Sequence, residues 1–153
     1  MKLGDVLRKE RTLRGISPEE AAARLGLAAS DYGLLESGRS PAESWGPLLA
    51  RLAIKLGAHT SRLVSETGRS DGARAGSCGA RIRRHRAGAR RSAAEVATAA
   101  GISPEVYELV ERGESPVEEY GPLLLRFAEM VGQPVFNLCY PCGLPLEKIE
   151  DYP

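Results

Sequence analysis

The chain is written twice. A shift of 75 positions lays Gly4–Gly57 over Gly79–Gly132 without a gap, and 21 of the 54 paired residues are identical. The densest match runs from Tyr32-x-Leu34-x-Glu36-x-Gly38-x-Ser40-Pro41 through Glu43, Gly46-Pro47-Leu48-Leu49, Arg51 and Ala53. It returns as Tyr107-x-Leu109-x-Glu111-x-Gly113-x-Ser115-Pro116 through Glu118, Gly121-Pro122-Leu123-Leu124, Arg126 and Ala128. Solenoid repeats run to about 20–50 residues, so a repeat this long is a duplicated domain. Each unit holds roughly 65 residues, which buries a thin core and favours packing on a partner.

Helical signals dominate both copies and no strand alternation is present, so the expected fold is all-α. Leu3, Val6, Leu7 and Leu13 give an amphipathic first helix ending near Arg14-Gly15. Ser17-Pro18-Glu19-Glu20 then reads as a start signal: Ser17 caps, Pro18 takes the first helical position and Glu20 closes a capping box. Ser92 and Glu95 repeat that box. The second helix stops at Gly26 or Gly101. A third starts near Ala29, or at Ser103-Pro104, and ends at Gly38 or Gly113. Gly46-Pro47 is expected to break the chain before a fourth helix over 48–56, and a last helical turn covers about 60–65, matching 134–138. The expected boundaries are 1–66 and 77–142 for the two units. A Gly-rich flexible linker over 67–76 joins them, and a Pro-rich tail follows over 143–153.

The net charge of +1 gives no general attraction to a polyanion, but the charge is unevenly placed. Arg81, Arg83, Arg84, Arg86, Arg90 and Arg91 crowd one element, while the rest of the second unit is acidic. The N-terminus lacks the apolar run of a signal peptide. No segment reaches the roughly 20 apolar residues that span a bilayer. Three cysteines make a poor disulfide framework and fit a reducing cytoplasm. Cys139-Tyr140-Pro141-Cys142, with Cys78, is the weak candidate for a metal or redox site, but a zinc site wants four ligands and the fourth is missing. No cofactor is expected. Two histidines, with no nucleophile–base pair and no phosphate-cradling Gly loop, point away from an enzyme.

Two short helices joined at a glycine after a capped Ser-x-x-Glu start make a helix-turn-helix pattern. The run Gly4-x-x-Leu7-Arg8-x-x-Arg11, Gly15-Ile16-Ser17-x-x-Glu20-x-Ala22-x-x-Leu25-Gly26-Leu27 and Leu35-Glu36-x-Gly38 resembles the phage-repressor (Cro/repressor, XRE) family. The second copy, with Arg83, Arg86, Ser92, Glu95, Ala97, Gly101-Ile102 and Val110-Glu111-x-Gly113, is similar but has Arg90 where the first has Gly15. The resemblance implies two tandem repressor-like helix-turn-helix domains of four to five short helices each, and a DNA-binding transcriptional regulator. It also implies ion pairs Arg11–Glu36 and Arg86–Glu111.

Carried onto this chain, the DNA-facing positions are Ser17, Pro18, Ala29, Ser30 and Leu34 in the first unit, and Glu105 and Leu109 in the second. None is a long polar fork of the kind that reads base edges. Affinity would then rest on phosphate contacts by Arg39, Arg81, Arg83, Arg84, Arg86, Arg90, Arg91 and Arg112, with double-stranded DNA as partner and modest base readout. Asp31, Glu105 and Glu108 would face the phosphates. The alternative expectation is a protein-interaction or self-association module docking through Leu34 and Leu109. Trp45 and Tyr120 share a repeat position, as do Tyr32 and Tyr107, and read as packing aromatics.

Overall fold

The computed structural model describes residues 1–73 and 77–142. The last three expected linker residues and the whole expected tail over 143–153 lie outside the described residues. Among those described there are ten α-helices and no strand. The first repeat contributes α1 (Leu3–Leu13), α2 (Pro18–Leu25), α3 (Ala29–Ser37), α4 (Ala42–Leu56) and α5 (Thr60–Val64). The second contributes α6 (Cys78–Gly88), α7 (Ala93–Ala100), α8 (Pro104–Glu111), α9 (Val117–Val131) and α10 (Val135–Cys139).

Local chemistry sets the starts. Ser17, Ser92 and Ser103 each accept a hydrogen bond from the backbone N–H three residues on, the N-cap geometry that fills an orphan donor. Glu95 completes the expected box by accepting from the Ser92 N–H. Glu20 does not: its carboxylate pairs with Arg24, one turn along α2. The first helix of each repeat is capped from outside. Glu43 accepts from the Leu3 and Gly4 N–H groups at 3.1 and 2.7 Å, and Glu118 accepts from Cys78 and Gly79 at 3.1 and 2.8 Å. Gly4 and Gly79 have no room for a side chain, since a Cβ would lie 2.5 and 2.3 Å from backbone carbonyls of α3 and α8. These contacts account for Gly4 and Glu43 recurring as Gly79 and Glu118.

The expected break at Gly46-Pro47 is absent. Helix α4 runs from Ala42 through Pro47, and α9 runs likewise through Pro122. A helix-interior proline loses one backbone hydrogen bond and disfavours helical backbone in the residue before it. Here that residue is glycine, which tolerates the strain, and burial of the following leucines holds the helix together. Burial covers Leu48, Leu49, Leu52 and Leu56, and the facing Leu123, Leu124, Phe127 and Val131.

The two repeats share one apolar core. Helix α4 crosses α9 at its centre, and each also touches the other repeat's second helix, α4 on α7 and α9 on α2. The contacts come in matched pairs. Arg51 donates to the Ala100 carbonyl at 3.1 Å, and its counterpart Arg126 donates to the Leu25 carbonyl at 3.4 Å. Gly46 lies under Leu124, Leu3 and Cys139, and Gly121 lies under Leu49, Cys78 and Val64, the same three places one repeat away. This reciprocity is an internal two-fold. The short fifth helices are exchanged across it: α5 packs on α6, and α10 packs on α1.

Residues 67–73, the opening of the expected flexible linker, are folded. Ser70–Gly72 forms a 3₁₀ turn, Ser65 bridges Ala73, and the Ser70 N–H donates to Glu129 of α9 at 3.0 Å.

Candidate nucleic-acid interface

The α2–α3 and α7–α8 pairs present the residues that the repressor resemblance assigns to DNA. Tyr32 and Leu35 on one side of α3, and Tyr107 and Val110 on one side of α8, are buried. The opposite side of each helix faces solvent. Ser17, Pro18, Ala29 and Ser30 are exposed, and Leu34 is 42% exposed. On α8, Pro104, Glu105 and Glu108 are exposed and Leu109 is 37% exposed, and Arg112, just past its end, is exposed too. Helical spacing accounts for the split, because positions 32 and 35 point inward while 30, 31, 33, 34 and 37 do not.

Each outer helix is fixed to its repeat by a bidentate ion pair. Arg11 Nε and a terminal nitrogen reach Glu36 at 2.5 and 3.0 Å, and Arg86 reaches Glu111 at 2.5 and 3.1 Å. The first guanidinium also donates to the Ile16 carbonyl at 2.8 Å, and the second to the Arg91 carbonyl at 3.1 Å. The Arg11–Glu36 side chains are 11% and 13% exposed, which shields that pair from the screening that weakens surface pairs. Burial alone would raise the pKa of Glu36 and Glu111, but the arginine hydrogen bonds outweigh it and hold both carboxyls below their ordinary value. The neighbouring Tyr32 and Tyr107 hydroxyls are pushed well above theirs, first by burial and then by the carboxylates.

The arginines assigned to phosphate fall into three groups. Arg81 is only 6% exposed and donates to the Val64 carbonyl and Ser77 Oγ, which removes it from the outer surface. Arg84 pairs with Glu66, Arg86 with Glu111, Arg91 with Glu95 at 3.6 Å, and Arg112 with Glu114 at 2.7 Å and Glu108 at 3.5 Å. Arg39, Arg83 and Arg90 are exposed and form no ion pair among the described residues. Six arginines within eleven residues therefore do not make a six-charge patch. The sequence could not show this, because the partner carboxylates Glu66 and Glu111 lie 18 and 25 residues from their arginines.

Arg90 has a second peculiarity. Its counterpart Gly15 turns the chain with φ +67°, and Arg90 takes the same left-handed conformation at φ 56°. A non-glycine residue there costs about 1–2 kcal/mol. Glycine would be the ordinary choice, so an exposed cation with no ion pair among the described residues stands at a strained position.

Cys78 and Cys139 are core residues, and Cys142 is half-buried against the core's edge. Cys78 sits against Gly121 and Cys139 against Gly46, in two different joints of the molecule. Burial, then Glu118, pushes the Cys78 thiol up to about 12, and burial raises Cys139 further, so neither is a ready thiolate. Among the described residues no group of three or more His, Cys, Asp or Glu is placed to hold a metal, and no helix is long and apolar enough to cross a membrane.

Two identical pairs carry structural roles that sequence reasoning missed: the helix-capping Glu43 and Glu118, and the cross-repeat Arg51 and Arg126. Their signal was present. A lone arginine inside Leu48-Leu49-Ala50-Arg51-Leu52-Ala53, repeated as Arg126, has no reason to persist on an apolar face unless it reaches a partner. No protein-family model matches the chain, and no curated protein or solved structure matches it either.

Proposed function

We propose that the chain is a DNA-binding regulator of the repressor type, a covalent pair of helix-turn-helix units without catalytic chemistry, working in the cytoplasm. One observation carries this reading: an internal two-fold relates the two α2–α3-type pairs while leaving both outer helices exposed. Operator sites are two-fold as well, and repressor dimers read them with one outer helix per half-site. Arg39, Arg83 and Arg90 supply the phosphate contacts, and Ser17, Ser30 and the exposed helix starts supply weaker ones. Base readout is modest because no Arg, Lys, Asn or Gln occupies α3 or α8.

The number of free arginines makes the proposal quantitative. Each neutralised phosphate contributes about −0.9 to the slope of log affinity against log salt, so three give about −3 where all eight would give about −7. Fluorescence anisotropy of a labelled duplex at several ionic strengths measures that slope. No binding at low salt, or binding indifferent to salt, refutes the proposal.

A second reading is favoured by the chemistry of the outer faces. Asp31, Glu105 and Glu108 surround Leu34 and Leu109. Leu34 also borders a cavity of about 180 Å³ that Tyr120 and Leu123 of the other repeat help to line. In this reading the faces dock a protein partner or a second copy of the chain. Leu109→Glu then abolishes the association while helical content stays intact, and an association that survives the substitution excludes it.

A further inference from the structure

The duplication supplies an internal control at the two joints made by the exchanged helices. At one joint, α5 and the residues flanking it bring His59, Arg62 and Glu66 towards Arg81, Arg84 and His85 of α6. At the other, the same six positions are Pro134, Asn137, Pro141, Val6, Lys9 and Glu10. The second joint forms with one cation and one carboxylate in those places. The fold therefore does not require the five basic side chains of the first.

Arg81 points most directly to a use for them. It fills the buried place of Val6 and leaves its Nε without a hydrogen bond, 3.6 Å from a Glu66 carboxylate oxygen. An unfilled donor on a buried cation is unfavourable, and valine is the natural residue at that position. The Glu66 carboxylate, 58% exposed on its turn, bridges Arg81 and Arg84. It is a resident anion that can swing away. Beside it opens a cavity of about 350 Å³ lined by His59, Arg62, Arg84 and His85, within the size range of small-molecule sites. Burial, then Arg84, lowers the pKa of His85, which favours its neutral form beside the arginines. A tetrahedral oxyanion suits such an arrangement, since guanidinium forks match its oxygens.

We infer that the α5–α6 joint binds a phosphate-class oxyanion, which takes the place of the Glu66 carboxylate between Arg81 and Arg84 with Arg62 as a third cation. The inference is independent of whether α3 and α8 meet DNA. Sulfate is the probe, titrated into the full chain at constant ionic strength made up with chloride and followed by thermal unfolding and calorimetry. Sulfate stabilises the protein saturably beyond chloride. Arg62→Gln or Arg84→Gln weakens sulfate about tenfold, the scale of one charge-assisted hydrogen bond. Glu66→Gln tightens it, and Lys9→Gln at the sister joint leaves it unchanged. Arg81→Val, copying the sister joint, gives a folded protein at least as stable as the parent and blind to sulfate. Equal responses to sulfate and chloride, or a sulfate response that survives both Arg62→Gln and Arg84→Gln, overturns the inference. Adding a random duplex separates the sources of such an anion: displacement of sulfate assigns the site to nucleic-acid backbone, and retention assigns it to a free small anion. The oxyanion chemistry stands in either case.

Discussion

Replacing Gly46 and Gly121 with alanine, one at a time, tests the crossing of α4 and α9. The two residues are counterparts, both precede a proline and both lie inside a helix. Alanine therefore brings each the same gain of about 1 kcal/mol in helix propensity and the same pre-proline cost. What differs is space. A Cβ at Gly46 would lie 2.9 Å from Leu124 Cδ1 and 3.0 Å from Leu3 Cδ2, whereas one at Gly121 would lie 3.3 Å from Val64 Cγ2 and 3.5 Å from Cys78 Sγ. Leu3 and Leu124 are each only 1% exposed and have nowhere to retreat. Overpacking of this kind costs about 1–3 kcal/mol. Gly46→Ala is thus expected to be less stable than Gly121→Ala by about 1–2 kcal/mol, or roughly 2–8 °C in Tm at about 2–4 °C per kcal/mol for a chain of this size. Urea unfolding of both variants measures the difference. Equal stabilities, or a larger loss at Gly121, would refute the crossing geometry, and two separate transitions in the parent would refute the shared core.

Three further outcomes follow from individual contacts. Arg90→Gly relieves the left-handed strain and stabilises the protein by about 1 kcal/mol in urea unfolding, while flattening the DNA salt slope by about one unit if Arg90 meets a phosphate. Arg51→Met leaves the C-terminal carbonyl of α7 without its cross-repeat donor and costs about 1.5–3 kcal/mol, and Arg126→Met costs less because its contact is longer. Glu36 and Glu111 have lowered folded pKa values, so their contribution is complete above the unfolded value near 4.5 and is lost as pH falls through the folded values. Glu36→Gln should therefore lower stability at pH 7 and make acid denaturation between about pH 5 and 2 less steep, which a pH series of thermal melts reads directly.

The helices, their serine starts and their glycine stops were legible in the sequence because they depend on neighbours within four residues. Ser17, Ser92, Ser103, Gly26 and Gly101 needed nothing distant to be understood. Gly46-Pro47 misled for the same reason. Local propensity demands a break there, and the interface that overrides it is built by Leu123 and Leu124, some 75 residues away. The arginine block was read as a charged face because sequence shows where cations cluster and not where their carboxylates arrive. Glu66 comes from a turn of the other repeat and Glu111 from a helix of the same one, and together with burial of Arg81 they leave far less free charge than the block suggests. Residues 67–73 lack periodicity, so their Glu129 contact carried no signal.

The exchange of α5 and α10 has an evolutionary consequence. Neither half can complete its own interior, so a change in one copy's core is felt by the other, and the inside stays locked as a matched set. The outside is under no such bond. Arg39 could become Glu114, and a neutral joint could acquire arginines and histidines, with the scaffold indifferent to both. A gene doubled in this way gains what a symmetric homodimer cannot have: two sides of one rigid body that are free to take up different tasks.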